Sequence, residues 1–195
     1  MKHPIIAAIA LAAALGASTA SAEITVGVSL GTTGPGASLG IPYKNAFSLM
    51  PKTLGGEPVK YIILDDESKP DNAAKNARKF VAEDKVDAMM GSNGVPSAVA
   101  MAQVAAETKT PLIALTPTPP LPPEPAQWTF TIPQSTELMM SAVAEDMKKR
   151  GIKTVGYIGF SDTWGDLMYN AITALAPKYG FKVVTNERYG RADTS

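Results

Sequence analysis

The sequence predicts an α/β fold built on a doubly wound parallel sheet, and three observations carry that reading. Short β-branched runs alternate with amphipathic helical patterns along most of the chain. The turns entering the strands are short, namely Asp84-Lys85, Lys109-Thr110, Gly151-Ile152 and Gly180, as strand–helix–strand units with right-handed crossovers require. The loops leaving the strands are longer and rich in Gly, Ser, Thr and Pro, and in open α/β sheets that edge is where ligands bind.

The elements follow in order. Residues 1–22 read as a secretory signal: Lys2 and His3, an apolar run over 5–15, then Ala20-Ser21-Ala22 as the cleavage site. The apolar run reaches only about half of the ~20 residues a membrane span needs. No Cys follows it, so no lipid anchor is expected, and the exported chain is expected in a periplasm. Residues 24–30 (ITVGVSL) form the first strand, bounded by Gly31. Tyr43, Ala46, Phe47 and Met50 fall at helical spacing, with a stop expected near Pro51 or Gly55-Gly56. Residues 59–64 are the second strand. Pro70 opens a helix whose apolar face is Ala73, Ala77, Phe80 and Val81, opposite Lys75, Lys79 and Glu83.

Residues 86–90, 97–107 and 111–115 repeat strand, helix and strand. Six prolines in residues 116–125 (TPTPPLPPEP) predict an extended surface segment, neither helix nor central strand. Residues 128–132 resume as a strand. Leu138, Met139, Ala142, Val143 and Met147 mark a helix closed by Lys148-Lys149-Arg150 and Gly151, basic residues and a glycine that suit a helix C-terminus. Strand, helix and strand follow over 153–159, 168–179 and 181–185.

Composition removes several functions. Eighteen basic and 18 acidic side chains leave no net charge and no Lys/Arg run, hence no footprint for nucleic acid. Without Cys and with His3 alone, Cys/His zinc sites and His-based triads are absent. The first loop lacks the third glycine of a dinucleotide fingerprint, since Leu39 stands there, and no Gly-Lys-Ser/Thr follows. No cofactor and no metal is expected. The glycines of that loop read as turn formers supplying positive φ.

The remaining polar groups collect on the loops leaving strands. In Gly91-Ser-Asn93-Gly-Val95-Pro96-Ser97, the proline in a first helical turn leaves the amides of Ser97 and Ala98 to seat a carboxylate at the positive end of a helix dipole. Equally, Ser97 caps its own helix. Thr116 and Thr118 place hydroxyls on the same edge, or simply form a turn. Trp164, in a Gly-flanked loop, is either core or a stacking wall. Asp65-Asp66 resembles a carboxylate pair but lacks a reacting partner, so a solvated loop or a helix-start charge is the plainer reading.

Four segments, ITVGVSLGTTGPGASLG, YIILDDESKPDNAAKNARKFVAEDKVDAMMGS, TPLIALTPT and GYIGFSDTWGD, in this order and spacing, resemble the periplasmic solute-binding proteins of branched-chain amino acid type ABC importers. The resemblance covers residues 23–195. It implies two α/β lobes closing on a ligand, with the first lobe at 23–132 and the beginning of the second at 133–195. It implies that Ser97, within the loop carrying Asn93 and Val95, grips a ligand carboxylate. It places Thr116 and Thr118 on carboxylate and ammonium, Trp164 as the covering aromatic, and Leu39 where an aromatic often stands. That departure widens the expected ligand from leucine or valine to aromatic and aliphatic acids. Family members are longer than this chain, so most of the second lobe is expected to be missing and binding by these residues alone to be weak. The implied partners are a small carboxylate and the permease subunits of an ABC transporter, with the binding protein a monomer and not an enzyme. The alternatives are the ligand-binding module of a sensory receptor, or an exported metal-dependent enzyme using Asp65 or Asp66.

Overall fold

The computed structural model describes residues 23–193, so the signal read over 1–22 lies outside the described residues. Strand β1 (Ile24–Leu30) is followed by a 3-10 turn at Gly34–Gly36 and helix α1 (Ala37–Phe47). A short β2 (Thr53–Leu54) forms a hairpin with β3 (Glu57–Asp65), then come α2 (Pro70–Ala82), β4 (Ala88–Gly91) and α3 (Val95–Thr108). After β5 (Leu112–Ala114), α4 (Pro123–Trp128) and β6 (Thr129–Thr131) complete a six-stranded sheet of order β2-β3-β1-β4-β5-β6. Every pairing in it is parallel except the β2–β3 hairpin.

Side-chain alternation along β1 builds two cores. Val26, Val28 and Leu30 face α1 and pack with Phe47 and Tyr43. Gly27 faces the other side, where the Phe80 ring of α2 occupies the space that a Cβ would take. Phe80, Met89, Met101 and Leu112 have no solvent exposure and form the larger core under α2 and α3. Burial of each such side chain is worth about 1.5–3 kcal/mol.

The second unit consists of α5 (Thr136–Lys149), β7 (Thr154–Phe160), α6 (Thr163–Tyr179) and β8 (Lys182–Tyr189). Its two strands pair in parallel as a separate sheet, over a core of Ala144, Ile172, Leu175, Ala176 and Phe181. Among the described residues no helix is long and apolar enough to cross a membrane.

The fold is thus the α/β, mostly parallel architecture that the alternation predicts, with three local departures. Residues Gly55 and Gly56 do not stop a helix; both have positive φ and form the β2–β3 turn. Helix α1 has already ended at Phe47, and Met50 packs beneath it from outside. The proline-rich stretch is extended only to Pro122. Pro123 and Pro125 then occupy the first turn of α4, where the missing N–H groups cost nothing, and Ala126 N–H makes the first helical bond to the Pro122 carbonyl at 3.0 Å.

Strand β1 connects to β3 on one side and β4 to β5 on the other, so the chain diverges between β1 and β4. The crevice beyond their carboxyl ends is the switch point of the sheet.

Candidate functional site

Asn93 ties the two loops at that crevice together. The Gly31 N–H donates to Asn93 Oδ1 at 2.7 Å, and Asn93 Nδ2 donates to the Gly36 carbonyl at 3.3 Å. Of the first loop's glycines only Gly34 has positive φ. The others serve close approach: a Cβ on Gly40, which lies on α1, would collide with the Gly31 carbonyl oxygen. Leu39 likewise belongs to α1 and not to a loop, and the residue is 57% exposed at the crevice.

The Asp65-Asp66 pair is spent on scaffolding. Asp65 Oδ1 accepts from the Thr32, Thr33 and Glu67 amides and Oδ2 from the Thr33 hydroxyl. Burial pushes its carboxyl upward, but those hydrogen bonds outweigh burial and hold it below the ordinary carboxylate value. Asp66 is fully buried rather than solvated, accepting from the Ser29 and Ser92 hydroxyls at 3.1 and 2.7 Å and from the Ser68 amide at 2.9 Å. Here burial wins over the hydrogen bonds, and the carboxyl is raised. Among the described residues no group of three His, Cys, Asp or Glu could hold a metal ion.

Helix α3 starts at this crevice with Gly94 as its N-cap and no side-chain cap, so Ser97 does not cap its own helix. The Ala98 amide, expected to be free, donates to the Gly94 carbonyl at 2.9 Å as the first helical bond. The Ser97 amide and hydroxyl have no partner among the described residues, although Ser97 is only 2% exposed. Ser97 lines a cavity of about 330 Å³ together with Ser68, Ser92, Asn93, Asp162 and Arg191. An adjoining cavity of about 360 Å³ is lined by Val95, Thr116 and Trp164, with Tyr43, Met139 and Phe160. Leu39, Asn93, Gly94 and Arg191 border both.

The six residues Leu39, Asn93, Val95, Ser97, Thr116 and Trp164 therefore come together around two joined compartments. Thr118 lines neither, and its hydroxyl lies 3.1 Å from that of Thr131.

The far wall belongs to the second unit. Asp162 caps α6 by accepting from the Trp164 and Gly165 amides at 2.9 and 3.2 Å, which sets Trp164 in the first turn facing the crevice. Arg191 donates from Nε to Asp162 Oδ2, and its guanidinium lies 4.1 Å from the centre of the Phe160 ring. The Tyr43 hydroxyl donates to the Leu115 carbonyl at 3.2 Å, holding α1 against the end of β5.

Sequence reasoning did not single out Ser68, Ser92, Asp162, Phe160 or Arg191. The signal was present for Arg191, which follows the carboxyl end of β8 as the other loop residues follow theirs. The partners that give it meaning, Asp162 and Phe160, lie about thirty residues away in the chain and are adjacent only once β7 and β8 pair.

A polar switch-point crevice in one α/β unit, faced by a capped helix start and aromatic rings from a second, is the architecture of a two-lobed ligand-binding protein. The chain belongs to the periplasmic binding protein family, whose model matches residues 23–195. It is 29% identical to an amino acid binding protein of Pseudomonas aeruginosa over 210 residues, covering 96% of this chain and 53% of that protein. It is 48% identical to the crystal structure of an extracellular ligand-binding receptor from Rhodopseudomonas palustris HaA2. That structure matches with a TM-score of 0.86, over 89% of this chain and 48% of the other. It also shares its fold, at 24% identity and a TM-score of 0.75, with a solute binding protein of an ABC transporter from Rhodopseudomonas palustris BisB5 in complex with 3,4-dihydroxybenzoic acid. That likeness covers 86% of this chain and 47% of the other. The chain spans about half the length of these relatives.

Proposed function

We propose that the protein is an exported, periplasmic, monomeric solute-binding component of an ABC importer, which captures a small carboxylate ligand and delivers it to the membrane permease without transforming it. In this reading residues 23–132 form the first lobe and residues from 133 onward the second. Ser97 and Thr116 hold the carboxylate, Trp164 covers the body of the ligand, and closure of the lobes makes the bound form recognisable to the permease.

One observation carries the reading. An uncapped helix start, with the Ser97 amide and hydroxyl unpartnered, opens on a cavity between the two units. Such a helix terminus favours an anion by about 0.3–1 kcal/mol when exposed and up to ~2 kcal/mol when partly buried. It needs no charged residue of its own. The similarity to an amino acid binding protein along nearly the whole chain supports the same reading. An enzyme working through Asp65 or Asp66 is disfavoured because hydrogen bonds from their own and neighbouring strand ends occupy both carboxylates.

The test is a titration of the isotope-labelled protein followed by amide NMR, with amino acids, benzoates (3,4-dihydroxybenzoate included) and short fatty acids as the panel. Saturable shifts at Gly94, Ser97, Thr116 and Trp164, which weaken in Ser97→Ala and Trp164→Ala, are expected. Affinity near millimolar, about −4 kcal/mol, is within reach of this readout. Absence of a saturable shift at these loops with every compound would sink the proposal.

A further inference from the structure

We infer that Arg191 is a specificity-determining residue that selects acids lacking an α-ammonium group, so that the ligand is an aromatic or aliphatic carboxylate and not an amino acid. This rests on the reading of the cleft as a carboxylate-binding site and deepens it.

Charge balance around the two cavities sets this preference. Arg191 borders both and, among the described residues, is the one cationic side chain in either lining. The carboxylates in those linings are Asp66 and Asp162. Asp66 is buried and already accepts from two hydroxyls and an amide. Asp162 accepts two amides at the start of a 17-residue helix and the Nε of Arg191 as well. On this wall two carboxylates, Asp162 and the first-turn Asp166, are matched by two guanidiniums, Arg191 and Arg188, so the positive end of the helix dipole is left over as a small excess of positive character. An anion entering beside Arg191 gains from that excess, and an ammonium at the same place is repelled by the guanidinium.

Geometry makes Arg191 a ligand contact and not merely an ion pair. Its Nε is held by Asp162 and its face lies on the Phe160 ring, so the guanidinium is fixed in position and plane. The two terminal nitrogens have no acceptor among the described residues, and together they form the fork that pairs with a carboxylate. Across the cleft the first unit offers neutral donors at Ser97 and Thr116. The larger compartment is walled by Tyr43, Val95, Leu115, Met139, Phe160 and Trp164, which suits an apolar or aromatic body.

The experiment uses matched ligand pairs that differ only in the ammonium: 3-phenylpropionate against phenylalanine, and 4-methylpentanoate against leucine. Their dissociation constants are measured by amide NMR with the wild-type chain, Arg191→Gln and Arg191→Lys. The wild type is expected to prefer the ammonium-free acid of each pair by about tenfold or more. Arg191→Gln is expected to collapse that ratio toward unity, chiefly by weakening the acid. Arg191→Lys is expected to keep the direction of the preference with a smaller ratio, because the charge remains and the fork is lost. Equal affinity within each pair, preference for the amino acid, or a ratio that Arg191→Gln leaves unchanged overturns the inference while the cleft remains a carboxylate site. Failure of all four compounds to shift Ser97 or Thr116 overturns both together.

Discussion

Replacing Asn93 by Ala tests whether one side chain holds the switch-point crevice in shape. The substitution removes the acceptor of the Gly31 amide, a part-buried bond of 2.7 Å, and the donor to the Gly36 carbonyl, a longer bond of 3.3 Å. A donor stranded away from water costs about 1–3 kcal/mol, and partial burial puts the Gly31 amide toward the lower end. The longer bond adds less than ~1 kcal/mol, so the sum is about 2 kcal/mol. For a chain of this size that corresponds to a fall in melting temperature of about 4–8 °C. Asn93→Asp is the informative companion. It keeps an oxygen for the Gly31 amide but sets a carboxylate against the Gly36 carbonyl, so it should be as destabilised as the alanine variant at neutral pH. It should recover part of the loss on acidification, when the carboxyl can donate. Thermal unfolding followed by circular dichroism reads both. A melting temperature for Asn93→Ala within about 1 °C of wild type would refute the view that this side chain joins the two loops.

Four further outcomes follow from the same contacts. Asp66, whose carboxyl is raised by burial, binds its proton more tightly folded than unfolded. Between the unfolded value of 3.8 and its raised folded value, wild-type stability should therefore fall relative to Asp66→Asn as pH increases, and the difference should level off above that window; parallel urea curves from pH 3 to 7 check it. Gly40→Ala, whose new methyl meets the Gly31 backbone, should cost about 1–3 kcal/mol in the same unfolding assay, since neither backbone segment can yield easily. Thr116→Val should weaken acid binding about tenfold or more in calorimetry or NMR, as expected for a lost hydrogen bond to a charged group, whereas Thr118→Val, at a position outside both cavities, should leave it unchanged. Trp164→Ala should reduce affinity with little change in melting temperature, because Trp164 is half-buried at the cleft and lies outside the core under α6.

The sheet was legible because its code is local. The β-branched run at residues 24–30 declares a strand, which the structure buries on both faces, and the 3.6-residue period of Ala73, Ala77 and Phe80 declares the face that the structure buries. The misread segments are those where a residue type has two uses. Glycines at 55 and 56 end a helix or turn a hairpin equally well, and only the partner strand β3 decides. Proline forbids a helix interior yet suits a first turn, so six prolines hid the start of α4. The cleft was half legible for a related reason. Strand-end position singled out Asn93, Ser97, Thr116 and Trp164, but it also singled out Thr118, which turns away toward Thr131. Which polar groups are spent and which are free is decided by contacts between residues dozens of positions apart, as between Asn93 and Gly31 or Asp66 and Ser92.

That division between spent and free groups is itself a physical argument about what the crevice holds. The ionised or strongly polar side chains of the first unit, Asp65, Asp66 and Asn93, are spent on backbone amides of their own and neighbouring loops and fix that backbone in place. What is left to meet a ligand there is a hydroxyl, an amide and a helix terminus, which are neutral and cheap to desolvate compared with an ion. A buried charge pair would bind an acid only after both partners lost their water. Neutral donors fixed in advance avoid half of that cost and still favour the anion over its neutral form. In the proposed function they also let it go when the second unit moves away with the guanidinium. On the proposed function, capture and release hinge on the distance between Arg191 and Ser97, not on any change in protonation of the first unit's carboxylates.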